Sequence, residues 1–134
     1  MENWIAKPLI EVNGIKFGME RKEVRKRFSG NVREFKKTKF SQNTTDDFGI
    51  CHVYYDENDK CKAIEVFDNV MVSIDGKVIF PTNINVLKTM ISDIFEEDGS
   101  FISKQKSIGI YSPDGKMESI LFGSTKGAFT GAAD

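Results

Sequence analysis

The sequence predicts an α+β fold, an antiparallel sheet carrying two helices on one face. Three observations lead there. Short apolar runs with alternating polarity are separated by turn signals such as Asn13-Gly14, Asp75-Gly76 and Pro113-Asp114-Gly115. Two other stretches space their apolar residues as one face of a helix does. The chain has 134 residues, 40% hydrophobic and 29% charged, which suits one folded domain. A chain of that length buries a core without needing disulfides or metal.

Leu9-Ile10-Glu11-Val12 runs into Asn13-Gly14 and then Ile15-Lys16-Phe17, the pattern of a tight hairpin. Residues 19–28 follow as a short amphipathic helix: Val24 and Phe28 share one face, Glu20 is the N-cap candidate, Met19 can staple onto Val24, and Gly30 marks the stop. The basic segment 32–40 reads as an exposed edge strand protected by lysines, and the polar segment 41–47 as a loop. A meander is expected over 50–55, 61–67, 70–74 and 77–80, turning at 56–59, Asp68-Asn69 and Asp75-Gly76.

A second helix is expected over 84–95, capped by Thr82 or Asn83, with Ile84, Leu87, Met90, Ile91, Ile94 and Phe95 as its apolar stripe. The run Glu96-Glu97-Asp98 would lie at its negative end, where acids are unfavourable. A last hairpin joins 108–112 to 116–122. These elements form a single domain over 1–122, and 123–134 reads as a loose C-terminal tail.

The order hairpin, helix, strands occurs twice, over 9–67 and 70–122. Asn13-Gly14-Ile15-Lys16-Phe17 matches Asp75-Gly76-Lys77-Val78-Ile79-Phe80, and Tyr55…Lys60…Ile64 matches Tyr111…Lys116…Ile120. A duplication explains the match, and so does turn chemistry shared by any two such units.

What is missing narrows the function. There is one histidine, His52, beside Cys51 on an expected strand, so neighbouring side chains point to opposite faces and neither a metal site nor a Cys–His pair assembles locally. A four-residue loop at 56–59 places Cys51 and Cys61 on opposite faces, leaving both as free buried thiols. No glycine-rich phosphate motif is present. The acid pairs Asp46-Asp47 and Glu96-Glu97 lie side by side, where carboxylates seldom converge for acid–base work. The expectation is therefore no enzyme, no metal and no cofactor. No signal peptide is apparent and no apolar run approaches about 20 residues, so the expected setting is cytoplasmic, away from membranes.

The net charge of −1 conceals a segregation: residues 20–40 carry nine Lys/Arg against three acids, and residues 41–134 carry eight against fifteen. The acids Asp46, Asp47, Asp56, Glu57, Asp59, Glu96, Glu97 and Asp98 are candidates for meeting a basic protein partner. The alternative is single-stranded nucleic acid on Arg21, Lys22, Arg25, Lys26, Arg33, Lys36, Lys37 and Lys39, with Phe35 and Phe40 available for stacking.

The segment Gly14-Ile15-Lys16-Phe17-Gly18-Met19-Glu20-Arg21-Lys22-Glu23-Val24…Phe28, followed by Val53-Tyr54-Tyr55…Lys60…Ala63-Ile64-Glu65-Val66, resembles β-lactamase-inhibitor-like modules and small bacterial immunity proteins. It covers about half of the chain as an order of elements and transfers no functional residue. The resemblance implies a protein that binds and neutralises a cognate toxin by occlusion.

Overall fold

Strands, not a balance of strands and helices, build this protein. The computed structural model describes residues 2–126, with 44% strand, 10% helix and two sheets. The expected α+β architecture with two helices on one face is overturned. The elements are β1 (Glu2–Lys7), β2 (Glu11–Val12), β3 (Ile15–Lys16), α1 (Arg21–Arg25), β4 (Arg33–Phe35), β5 (Thr45–Asp47), β6 (Cys51–Tyr55) and β7 (Cys61–Phe67). They continue with β8 (Val70–Ile74), β9 (Lys77–Phe80), α2 (Ile84–Met90), β10 (Phe95–Glu97), β11 (Ser100–Ser103), β12 (Ile108–Tyr111) and β13 (Ser119–Gly123).

A five-stranded sheet has the order β3-β2-β1-β8-β9, and an eight-stranded sheet the order β10-β11-β12-β13-β7-β6-β5-β4. The expected meander is split between them. β7 already has β6 on one side and β13 on the other, so no free edge remains for β8. The chain leaves that sheet at Asp68-Asn69, and β8 pairs in parallel with β1, Trp4 opposite Val72. One core joins the layers, with Trp4, Val12, Val72 and Phe80 from one sheet meeting Val53, Ile64, Ile110 and Phe122 from the other.

Each half contributes a hairpin, a helix and four antiparallel strands. The run β4 to β7 follows α1, the run β10 to β13 follows α2, and the two runs meet where β13 lies antiparallel to β7. The turns Asn13-Gly14 and Asp75-Gly76 share one backbone form, with φ of 51° and 81° in the first and 52° and 79° in the second. Two successive positive φ values make the turn whose twist matches a hairpin. Of the expected tail, Gly123 belongs to β13, and residues 127–134 lie outside those described.

The helices are short, and each buries one residue completely, Val24 in α1 and Leu87 in α2. Glu20 occupies the N-cap position of α1 without a side-chain cap bond, whereas the Asn83 side chain accepts from the Val86 amide and caps α2. The helix expected to reach 95 ends at Met90. Phe95–Glu97 is a strand instead, turned onto β11 by Asp98 and Gly99 with φ of 48° and 76°. Phe95 continued the helical spacing by coincidence, and the acids unfavourable at a helix end lie in a hairpin. The polar loop expected over 41–47 ends instead in β5, where Thr45 and Asp46 are buried.

The β6–β7 turn also departs from expectation. Asp56 pairs with Lys60 through its amide, Asp59 has φ of 62°, and the loop has three residues, not four. The shorter loop sets Cys61 opposite Tyr55, which shares a face with Cys51, correcting the expectation of opposite faces. A bulge beyond that pair then sets Tyr54 opposite Ala63. Cys51 lies across from Val66 at the far end of the strand pair, and both thiols are free and buried. Burial pushes each thiol up to about 12. A thiolate is the reactive form, so both cysteines are expected to resist a thiol–disulfide reagent at about pH 8 until the protein is denatured. Rapid labelling of the native protein would contradict this packing.

Candidate functional site

Side chains alternate across a strand, so the eight-stranded sheet has two chemically different faces. Cys51, Val53 and Tyr55 of β6 point into the core, and His52 and Tyr54 point away from it. In register across the outer face stand His52, Glu65, Leu121 and Gly109, and beside them Phe67, Ser119 and Tyr111. Neither helix supplies a partner to this face, since Val24 and Leu87 pack into the core between the sheets.

Glu65 stands near the middle of the outer face, on β7. Its two oxygens are oriented separately: the Tyr54 hydroxyl donates to Oε1 at 2.9 Å, and the Ser119 hydroxyl donates to Oε2 at 2.8 Å. Glu65 and Ser119 line a cleft of about 480 Å³ with Phe67, Asp68, Tyr111, Lys116 and Glu118. Alternation alone marks Glu65 as an outward acid at a strand centre. Its two donors come from β6 and from a strand 54 residues away, which no local pattern reveals.

His52 sits among aromatic rings, with centroids 4.8 Å from Phe67 and 5.1 Å from Phe35, and its Nε2 is 3.5 Å from Asp47. Among the described residues no three His, Cys, Asp or Glu side chains converge as metal ligands.

The candidate acids do not form one patch. Asp46 is fully buried on the core face. Arg21 bonds its Oδ1 at 3.0 Å, Arg25 bonds both oxygens at 2.7 and 2.8 Å, and the Tyr55 hydroxyl donates to Oδ2 at 2.9 Å. Burial alone would raise the Asp46 carboxyl, but the bonds from Arg25 and Tyr55 and the charges of both arginines hold it below the ordinary carboxylate range. Arg21 also reaches Asp59 at 2.8 Å and lies 4.1 Å above the Tyr55 ring. Backbone bonds from Gly18 to Cys61, from Cys61 to Met19 and from Arg21 to Asp59 hold the start of α1 against the β6–β7 hairpin, which places both arginines over Asp46.

Asp56 closes the hairpin turn by accepting from the Asn58 and Lys60 amides, and Glu57 is exposed at its tip. Asp47 lies on the outer face, with Arg33 at 3.2 Å. Glu96, Glu97 and Asp98 are exposed at the other edge of the sheet, six strand steps from β5, roughly 30 Å at ordinary strand spacing.

The basic residues are divided as well. Arg21 and Arg25 turn inward to Asp46, Arg25 also bonds Glu34 at 2.7 Å, Lys26 meets Glu23 at 3.2 Å, and Lys22 meets Glu20 at 3.7 Å. Lys36, Lys37 and Lys39 lie in the exposed stretch after β4, with Lys37 over the Tyr54 ring and Lys39 over Phe40. A larger cleft of about 680 Å³ opens between Trp4, Phe28 and Phe48. There Phe28 and Phe48 stack on each other at 3.9 Å, and Arg27 donates to the Asn13 carbonyl. No described protein family, curated protein or solved structure matches this chain.

Proposed function

We propose that this chain is a protein-binding module without catalytic activity, acting as an immunity protein that neutralises a toxin by covering it with the outer face of the eight-stranded sheet. The observation that carries the reading is that face itself. It is broad, free of covering helices, lined by Phe67, Tyr111 and Leu121, and bears an acid oriented by two hydroxyls. Aromatic anchors around a well-placed polar group are what protein interfaces use for affinity and orientation. Among the described residues no helix is long and apolar enough to cross a membrane, and we place its action in the cytoplasm.

Nucleic-acid binding is the weaker reading, because Arg21 and Arg25 are already engaged by Asp46. The remaining support is Lys36, Lys37 and Lys39 beside Phe40, which is 81% exposed. The test is co-purification from source lysate at low and high salt, with the eluate identified by mass spectrometry. One stoichiometric protein is expected, retained at high salt, toxic when expressed alone and harmless with this chain. Nucleic acid that elutes as salt rises would favour the basic stretch, since phosphate contacts release counterions.

A further inference from the structure

We infer that the cleft at Glu65 receives an arginine side chain presented by the protein partner. The inference rests on the protein-binding reading above and adds the partner's chemistry to it. A carboxylate offers about four lone-pair positions. Tyr54 and Ser119 each occupy one, on different oxygens, so each oxygen keeps acceptor capacity. A guanidinium satisfies that arrangement with two parallel N–H donors, whereas an ammonium is a point charge without the planar fork. Glu65 takes part in none of the ion pairs formed by the described residues. Asp46 differs sharply, since its oxygens are saturated by two arginines and a tyrosine of this chain.

The cleft walls suit the same guest. Phe67 and Tyr111 line it with aromatic rings, the surface a guanidinium favours. Asp68, Glu118 and Glu65 outweigh Lys116, so the field favours a cation. Both hydroxyl donors are held by paired strands, so the carboxylate needs little reordering when the guest arrives.

The probe is arginine amide, titrated into isotope-labelled protein at low salt and followed by amide chemical shifts, with lysine amide and glutamate amide alongside. Saturable shifts are expected at Glu65, Phe67, Tyr111 and Ser119, on the order of millimolar Kd for a single side chain. Lysine amide should bind several-fold more weakly, and glutamate amide should not bind. Glu65→Gln should weaken arginine amide by about tenfold, while the remaining spectrum and the Tm stay close to the wild type. Equal shifts at Asp59 and Glu97, or an unchanged Kd in Glu65→Gln, would overturn the assignment.

The two readings fail separately. If Glu65→Gln captures the partner as well as the wild type does, the arginine site falls and the binding module stands. If arginine amide titrates as expected but no partner is recovered, the cleft still binds a guanidinium, while the module reading falls and with it the partner's arginine.

Discussion

Replacing Asp46 with alanine is expected to cost about 3 kcal/mol of stability, the lower end for removing one partner of a buried ion pair. For a chain of this size that lowers Tm by roughly 10 °C. Asp46 is the acceptor around which Arg21, Arg25 and Tyr55 converge. Without it two guanidinium groups face each other across a cavity, and the link between α1 and β5 is lost. Asp46→Asn preserves shape and the Tyr55 bond but not the charge, so its Tm should fall between those of alanine and the wild type. Differential scanning calorimetry decides the point, and an alanine variant within about 2 °C of the wild type would show that the network contributes little.

The same network has a pH signature. The folded Asp46 carboxyl lies below its unfolded value, so the folded state binds fewer protons. Its stabilisation is present above the ordinary carboxylate pKa and is lost as pH falls through the folded one. Glu34 contributes in the same direction, lowered by its bonds from Arg25 and Thr44. The wild type should therefore lose stability steeply below about pH 4, and Asp46→Asn less steeply. A residual acid limb should remain from Asp93, which burial would raise but the bonds from Ser103 and Gln105 lower.

The second large effect is expected at the seam between the two four-stranded runs. Phe122 is buried on β13, with Ile108 opposite on β12 and Ile64 opposite on β7. Phe122→Ala should cost about 3–5 kcal/mol, because the transfer loss and the cavity add. Phe101→Ala, half-buried nearer the β10 edge, should cost less. Since both runs share the core, urea unfolding followed by fluorescence and by circular dichroism should give one coincident transition for each protein. Separate transitions would show that the runs fold as independent units.

Local chemistry was readable at the turns whose flanking residues alternate cleanly. Asn13-Gly14 and Asp75-Gly76 marked their hairpins, and the alternation in 51–55, 61–67 and 108–111 marked strands. Asp98-Gly99 carried the same signal but was masked by an apolar spacing that imitated a longer helix. The three-residue loop before Lys60 escaped because loop length follows from the positive φ at Asp59, and one residue of slip moved Cys61 to the other face. Asp46 was hidden in a polar stretch that looks like any surface loop. Its role depends on arginines more than twenty residues away.

By itself, then, the sequence determined the positions of most strands, several tight turns and the separation of basic from acidic segments, because period, turn residues and charge act over a few neighbours. The tertiary structure alone decided that there are two sheets, that β8 joins β1, that the acids are scattered while Asp46 is buried, and that Glu65 stands between the hydroxyls of Tyr54 and Ser119. Those features come from pairings between distant strands. Which edge a strand finds depends on which edges are already occupied, and residue spacing along the chain does not encode that.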